Sequence, residues 1–210
     1  MARHRKNSAE QHDRHTATDT QANSLRIIGG ELRGRKLVYT GDLRTRPMKD
    51  RVREAVFNLL GQMPRGKHAI DLFAGTGALG LEALSRGATR ATFIEQHFPT
   101  ARVIRQNAAL LSAAERCTVE SGNVFLWAPN ATIDTDLPWL VFCSPPYAFY
   151  VDRQPDVLSL IGGLLERAPP DSVFVVEADA KFDMSLLPAT IEWDVRPYLP
   201  AVVAIGRKPA

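Results

Sequence analysis

The sequence predicts an α/β fold: a seven-stranded, mostly parallel sheet with an antiparallel hairpin at one edge, preceded by a small N-terminal β-hairpin and helix. Three observations carry this. Past residue 60, short apolar runs alternate with helical stretches, the pattern of strands joined by crossover helices. Those runs are nearly continuous in apolar residues, as strands buried on both faces must be. The last two runs have no helical stretch between them, so they pair as a hairpin at an edge.

The strands follow in order. His68–Phe73 is the first, and Gly77–Arg86 reads as the helix after it. Arg90–Glu95 is the second strand, followed by a helix over Pro99–Leu111 that proline opens. Cys117–Glu120 is a short third strand, and a helix starts near Val124. Trp139–Cys143 is the fourth strand, with a helix near Val157–Arg167 after it. Ser172–Glu177 is a fifth, strongly apolar strand, and Thr190–Arg196 and Ala201–Arg207 complete the seven. Ahead of them, Leu25–Tyr39 holds two short apolar stretches punctuated by Gly29-Gly30 and Gly34, the pattern of a β-hairpin. A helix to about Leu60 follows, with Val52, Val56 and Leu59 at helical spacing, Asp50 near its start and Gly61 as its stop. Met1–Ser24 is polar and almost free of large apolar residues, which predicts a disordered tail. The expected division is therefore 1–24 as tail, 25–60 as hairpin and helix, and 61–210 as the main domain.

Bulk composition narrows the function. At 210 residues, 45% hydrophobic and 23% charged, the chain suits one sizeable soluble domain. No run is long and apolar enough to cross a membrane, and the N-terminus lacks a secretory core, so a cytoplasmic location is expected. Cys117 and Cys143 offer neither a disulfide framework nor a metal-ligand spacing, so no metal is expected. Net charge is +3, but residues 1–53 hold 13 of the 26 Lys/Arg and only 6 of the 23 Asp/Glu. A basic N-terminal part facing an otherwise acidic chain points to a polyanionic partner. Its candidate phosphate contacts are Arg26, Arg33, Arg35, Lys36, Arg44, Arg46, Lys49, Arg51 and Arg53.

Two motifs carry the chemistry. Gly75-Thr-Gly77-Ala-Leu-Gly80 follows a strand and opens a helix, a G-x-G-x-x-G that lets backbone approach a ligand closely. On this motif alone a nicotinamide enzyme is a rival. Asp71 tilts the balance, because a carboxylate four residues before the first glycine would crowd a pyrophosphate yet suit a cationic ligand. S-adenosylmethionine is cationic and has no phosphates. Glu95, at the end of the second strand, is placed to accept both ribose hydroxyls, and Asn123, after the third, to meet the adenine amine. Phe73 and Thr76 complete the candidate cofactor set. The second motif, Ser144-Pro145-Pro146-Tyr147, ends the fourth strand. Two prolines fix two φ angles and remove two amide donors, giving a rigid platform beside an aromatic ring. Such a platform suits a flat, amine-bearing nucleobase. If the strand order reverses beside the first strand, both loops open into one crevice.

Asp71–Gly80 together with Ser144–Tyr147 resemble class I methyltransferases that modify exocyclic amines. Arg26-Ile-Ile-Gly-Gly30, Arg33-Gly-Arg35, Arg46-Pro47, Asp50–Glu54, Phe57-Asn58 and Gly77–Arg86 are similar to the bacterial 16S ribosomal RNA guanine-N2 methyltransferase family. The resemblance spans roughly residues 25–207. It implies a Rossmann-like sheet, S-adenosylmethionine as donor, small-subunit ribosomal RNA as partner, an N-terminal hairpin that helps engage RNA, and Ser144, Pro145, Pro146 and Tyr147 as the catalytic tetrapeptide; a monomer is expected. Two departures stand out. Met48 takes the place of the family's usual Thr. Ser144 takes the place of its Asp or Asn, and a neutral hydroxyl is a weaker acceptor than a carboxylate. Adenine-N6 methylation of DNA, and RNA binding with weakened catalysis, remain open alternatives at this point.

Overall fold

The computed structural model describes residues 25–39, 48 and 50–210. Seven strands form one sheet: β1 (His68–Asp71), β2 (Arg90–Glu95), β3 (Cys117–Ser121), β4 (Trp139–Cys143), β5 (Val173–Asp179), β6 (Trp193–Tyr198) and β7 (Ala201–Arg207). Their order is β3-β2-β1-β4-β5-β7-β6. β1 to β5 run parallel, while β7 pairs antiparallel with both β5 and β6. The seven strands, the parallel core and the antiparallel edge agree with the sequence reading. Pro197 lies in β6, which pairs only with β7, and an edge strand tolerates the missing amide donor.

Helices cover both faces. One layer contains α1 (Asp50–Leu60), α2 (Ala78–Ser85) and α3 (Phe98–Leu110); the other contains α4 (Val124–Asn130), α5 (Phe149–Asp152) and α6 (Gln154–Arg167). β1 and β4 are buried at every position, which is why their sequences do not alternate. On the first face Leu81, Leu84 and Phe93 pack with Phe142 and Val175. On the second, Ile70, Val141 and Phe174 pack with Val157, Ile161 and Leu164.

The N-terminal segment forms the expected hairpin in short form. Residues 25–39 fold back antiparallel about the Arg26–Lys36 bridge, with Ile27 N–H donating to the Arg35 carbonyl (2.9 Å), Gly34 N–H to the Ile27 carbonyl (2.9 Å) and Leu37 N–H to the Leu25 carbonyl (2.8 Å). Other amides of the segment reach out to the helices. Ile28 and Gly29 donate to the Glu82 carboxylate (2.7 and 2.7 Å), Glu31 to the Ser85 carbonyl, Leu32 to Ser85 Oγ and Val38 to Asn107 Oδ1. The segment is thus stitched to α2 and α3. Leu25, Ile27 and Leu37 join the same core as Val56 and Phe57 of α1 and Leu81 of α2. Gly30 makes the approach possible: its φ is +78°, and a Cβ there would lie 1.9 Å from the Ser85 carbonyl oxygen.

Candidate active site

Strand order reverses at β1, whose neighbours are β2 on one side and β4 on the other. Crossovers leave in opposite directions there, and a crevice opens beyond the strands' C-terminal ends. In this structure it is a cleft of about 630 Å³, and it receives both sequence motifs.

One wall comes from the ends of β1, β2 and β3. Phe73, Gly75, Glu95 and Asn123 line it. The Glu95 carboxylate is held by two backbone amides, Gly75 N–H at 2.8 Å and His97 N–H at 2.7 Å. A carboxylate has about four acceptor positions, so it keeps capacity for a vicinal diol. Asn123 caps α4, its Oδ1 accepting from Phe125 N–H at 2.9 Å. Thr76, Gly77 and Gly80 do not line the cleft; they shape the turn behind it. A Cβ on Gly80 would come within 2.4 Å of the Phe93 ring, so glycine lets α2 seat against β2.

Asp71 also sits behind the cleft surface. It is buried and accepts from Gly80 N–H at 3.2 Å. Desolvation, with a smaller contribution from the Glu95 charge, pushes its pKa up to about 7 against the opposing Gly80 bond. Its action on a ligand would therefore run through the loop or through water, as a buried charge that favours a cation in front of it.

The opposite wall is the end of β4. Ser144, Pro145, Pro146 and Tyr147 all line the cleft. Ser144 Oγ is buried and has no hydrogen-bond partner among the described residues. Tyr147 donates its hydroxyl to Glu177 Oε1 at 3.0 Å.

Several lining residues went unnoticed in the sequence. Glu177, 9% exposed near the end of β5, belongs to this wall. Tyr198, Leu199 and Pro200 form the β6–β7 turn that borders it, and Met48 and Val52 border it from α1 and the residues just before. Phe125 and Phe149 join Phe73 in an aromatic cluster with ring centroids 5.9–6.1 Å apart, and the Arg153 guanidinium lies 4.0 Å from the Phe125 centroid. For Glu177 a signal existed: like Asp71 and Glu95, it is an acid near the end of an apolar strand.

The basic N-terminal residues separate into two groups. Arg26, Arg33, Arg35, Lys36 and Arg51 are exposed. Arg26 sits near Asp50 at 3.8 Å, and Arg35 donates to the Leu110 carbonyl. Arg44, Arg46 and Lys49 lie outside the described residues. Arg53 corrects the sequence reading. Its side chain is fully buried, with Nη2 donating to the Arg26 carbonyl (2.6 Å) and Asp50 (3.0 Å), and Nε 4.0 Å from Glu82. Burial lowers its pKa against the pull of Asp50 and Glu82. It ties α1 to the N-terminal segment and to α2, and it cannot reach a phosphate.

The strand order, the glycine turn at the end of β1 and the acid ending β2 define a class I, S-adenosylmethionine-dependent methyltransferase fold. A more particular assignment follows from comparison: the chain belongs to the family described as conserved hypothetical protein 95, whose model matches residues 25–195. It is 42% identical over 123 residues to Ribosomal RNA small subunit methyltransferase D of Escherichia coli, a stretch covering 59% of this chain and 60% of that protein's length. The Haemophilus influenzae protein of the same name is 35% identical over 144 residues, covering 65% and 71%. Among solved structures, yhhF of Escherichia coli superposes with a TM-score of 0.76 at 30% identity over 90% of this chain and 99% of that one. An RNA methyltransferase of Salinibacter ruber, solved with S-adenosyl-L-homocysteine, shares the fold: TM-score 0.58, 18% identity, coverage 78% and 94%.

Proposed function

We propose that this protein is an S-adenosylmethionine-dependent RNA methyltransferase acting on the exocyclic N2 of a guanine in the 16S RNA of the small ribosomal subunit. The observation that carries the reading is the single cleft in which Gly75, Glu95 and Asn123 face Ser144–Tyr147. Transfer between two bound reactants depends on holding them in line, and one crevice with two walls supplies that. The Escherichia coli relative's name supports the small-subunit substrate.

The residues present fit the cofactor. No Lys or Arg is among the described residues that line the cleft, so nothing there suits a pyrophosphate, whereas Glu95 lines that wall and Asp71 lies buried behind it. That balance favours a sulfonium over a dinucleotide. Glu95 would accept the ribose hydroxyls, Asn123 would meet the adenine edge, and the Gly75 turn would leave room for the amino-acid end. The bound cofactor supplies an electrophilic methyl group. On the other wall Pro145 and Pro146 keep the backbone extended, and Tyr147 offers a ring on which a base stacks, worth about 1–3 kcal/mol. Arg26, Arg33, Arg35, Lys36 and Arg51, with Arg44, Arg46 and Lys49, would contact phosphates, which position the RNA without reading its sequence. Residues 25–60 are thereby assigned to RNA engagement and residues 61–210 to cofactor binding and transfer.

The test is transfer of labelled methyl groups from S-adenosylmethionine to small-subunit particles and to purified 16S RNA. The reading expects label in the RNA. Cofactor binding with no transfer at high protein concentration would refute the catalytic assignment, and NAD binding without S-adenosylmethionine binding would refute the cofactor.

A further inference from the structure

We infer that Glu177 supplies the acceptor-side negative charge that Ser144 does not, and that it recognises guanine by its paired donor edge. This rests on the methyltransferase reading above and names the residue that selects its substrate.

Four observations converge. The β4–β5 register pairs Cys143 with Val176, so the next residues in line, Ser144 and Glu177, sit side by side beyond the paired ends of adjacent strands. Both line the cleft. Tyr147, the last residue of the platform, donates to Glu177 Oε1 at 3.0 Å, which ties the carboxylate to the surface on which a base would stack. Tyr150 fixes the backbone at the same point, its hydroxyl donating to the Glu177 carbonyl at 2.8 Å. The carboxylate is thus held in place before any ligand arrives, and at 9% exposure it acts in a medium where charge counts for more than in water.

Guanine presents two adjacent donors, N1–H and N2–H, to one edge. A carboxylate accepts at several positions, and charge-assisted bonds are roughly twice as strong as neutral ones. Adenine offers an acceptor at N1, which a carboxylate repels. In the transfer, the N2 lone pair forms the new bond to the methyl carbon as the carbon–sulfur bond breaks, and sulfur keeps that bonding pair as a neutral thioether. Nitrogen, now bonded to the methyl carbon and still holding both its protons, carries a positive charge, and one proton must leave. That proton passes to the Glu177 carboxylate and from there to water, so charge balances with no further reactant.

The experiment compares wild type, Glu177→Gln and the double variant Ser144→Asp/Glu177→Gln. Each is titrated with S-adenosylhomocysteine by calorimetry, which checks the fold and the cofactor wall, and turnover is measured separately with S-adenosylmethionine. Glu177→Gln is expected to bind it as wild type does and to lower kcat on small-subunit particles by about 10²–10³-fold. The double variant, with a carboxylate restored one strand away, is expected to recover about tenfold or more of that loss. Independently of turnover, the wild-type complex should bind guanosine monophosphate about tenfold tighter than inosine monophosphate, which lacks the N2 amine, and Glu177→Gln should erase the difference. Wild type active with Glu177→Gln within threefold of it overturns the role of Glu177 alone. So does loss of S-adenosylhomocysteine binding in Glu177→Gln, which would make the residue structural. A wild type that binds cofactor but transfers nothing overturns the functional reading and this role with it.

Discussion

Replacing Asp71 with Asn should stabilise the unliganded protein, and increasingly so as pH rises. Asp71 is buried, and its pKa rises from 3.8 to about 7, chiefly by desolvation. An acid whose folded pKa is raised binds its proton more tightly when folded. Its favourable contribution is complete below pH ~4 and is lost as pH climbs through about 7. One pKa unit corresponds to about 1.4 kcal/mol, so the roughly three-unit shift makes the ionised carboxylate cost the fold on the order of 4 kcal/mol above pH 8. Asn is neutral throughout, has nearly the same shape, and its Oδ1 still accepts from Gly80 N–H. Urea unfolding of both proteins at pH 5, 6, 7 and 8 isolates the effect, because every other titrating group is common to the pair. The variant's advantage should grow by about 1.4 kcal/mol per unit between pH 5 and 6, and then flatten beyond pH 7. A difference that is constant across the range would refute the burial argument. A variant less stable at every pH would show that the carboxylate's hydrogen bond outweighs its desolvation.

Other substitutions probe the frame and the RNA face. Glu82→Ala removes the carboxylate that accepts from Ile28, Gly29 and Arg86 and lies 4.0 Å from buried Arg53; stranding those donors and leaving Asp50 as the one carboxylate on Arg53 should cost about 3–5 kcal/mol in chemical denaturation. Gly80→Ala, whose added carbon meets the Phe93 ring, should cost about 1–3 kcal/mol by the same measurement and weaken S-adenosylmethionine binding through the displaced loop. Arg33→Ala and Arg53→Ala should part company. Exposed Arg33 should lower the salt-dependence slope of RNA binding by about one and leave the melting temperature unchanged. Buried Arg53 should lower the melting temperature by several degrees or more.

What the sequence revealed and what it hid divide along physical lines. Strands β1, β4 and β5 are legible because burial on both faces writes itself as uninterrupted apolar residues. The adjacency of β1 and β4 follows from the crossover pattern, which brought Gly75 and Ser144 to one crevice. Arg53 was hidden because what covers it lies elsewhere, the Arg26 carbonyl and Glu82 on α2, while its local partner Asp50 would suit an exposed arginine equally well. The N-terminal hairpin was legible from its glycines, but its docking was not, since Ile28, Leu32 and Val38 donate to Glu82, Ser85 and Asn107 on helices far along the chain. Tyr198 and Leu199 came to the cleft only through the return of β7 alongside β5, a pairing local sequence does not encode.

The central claim is that this cleft joins a methyl donor to a guanine amine. Nucleoside mass spectrometry of 16S RNA, taken from small subunits incubated with the protein and isotopically labelled S-adenosylmethionine, tests it most directly. The account predicts one labelled nucleoside, N2-methylguanosine. Label appearing as N6-methyladenosine, or on duplex DNA and not on RNA, would contradict it.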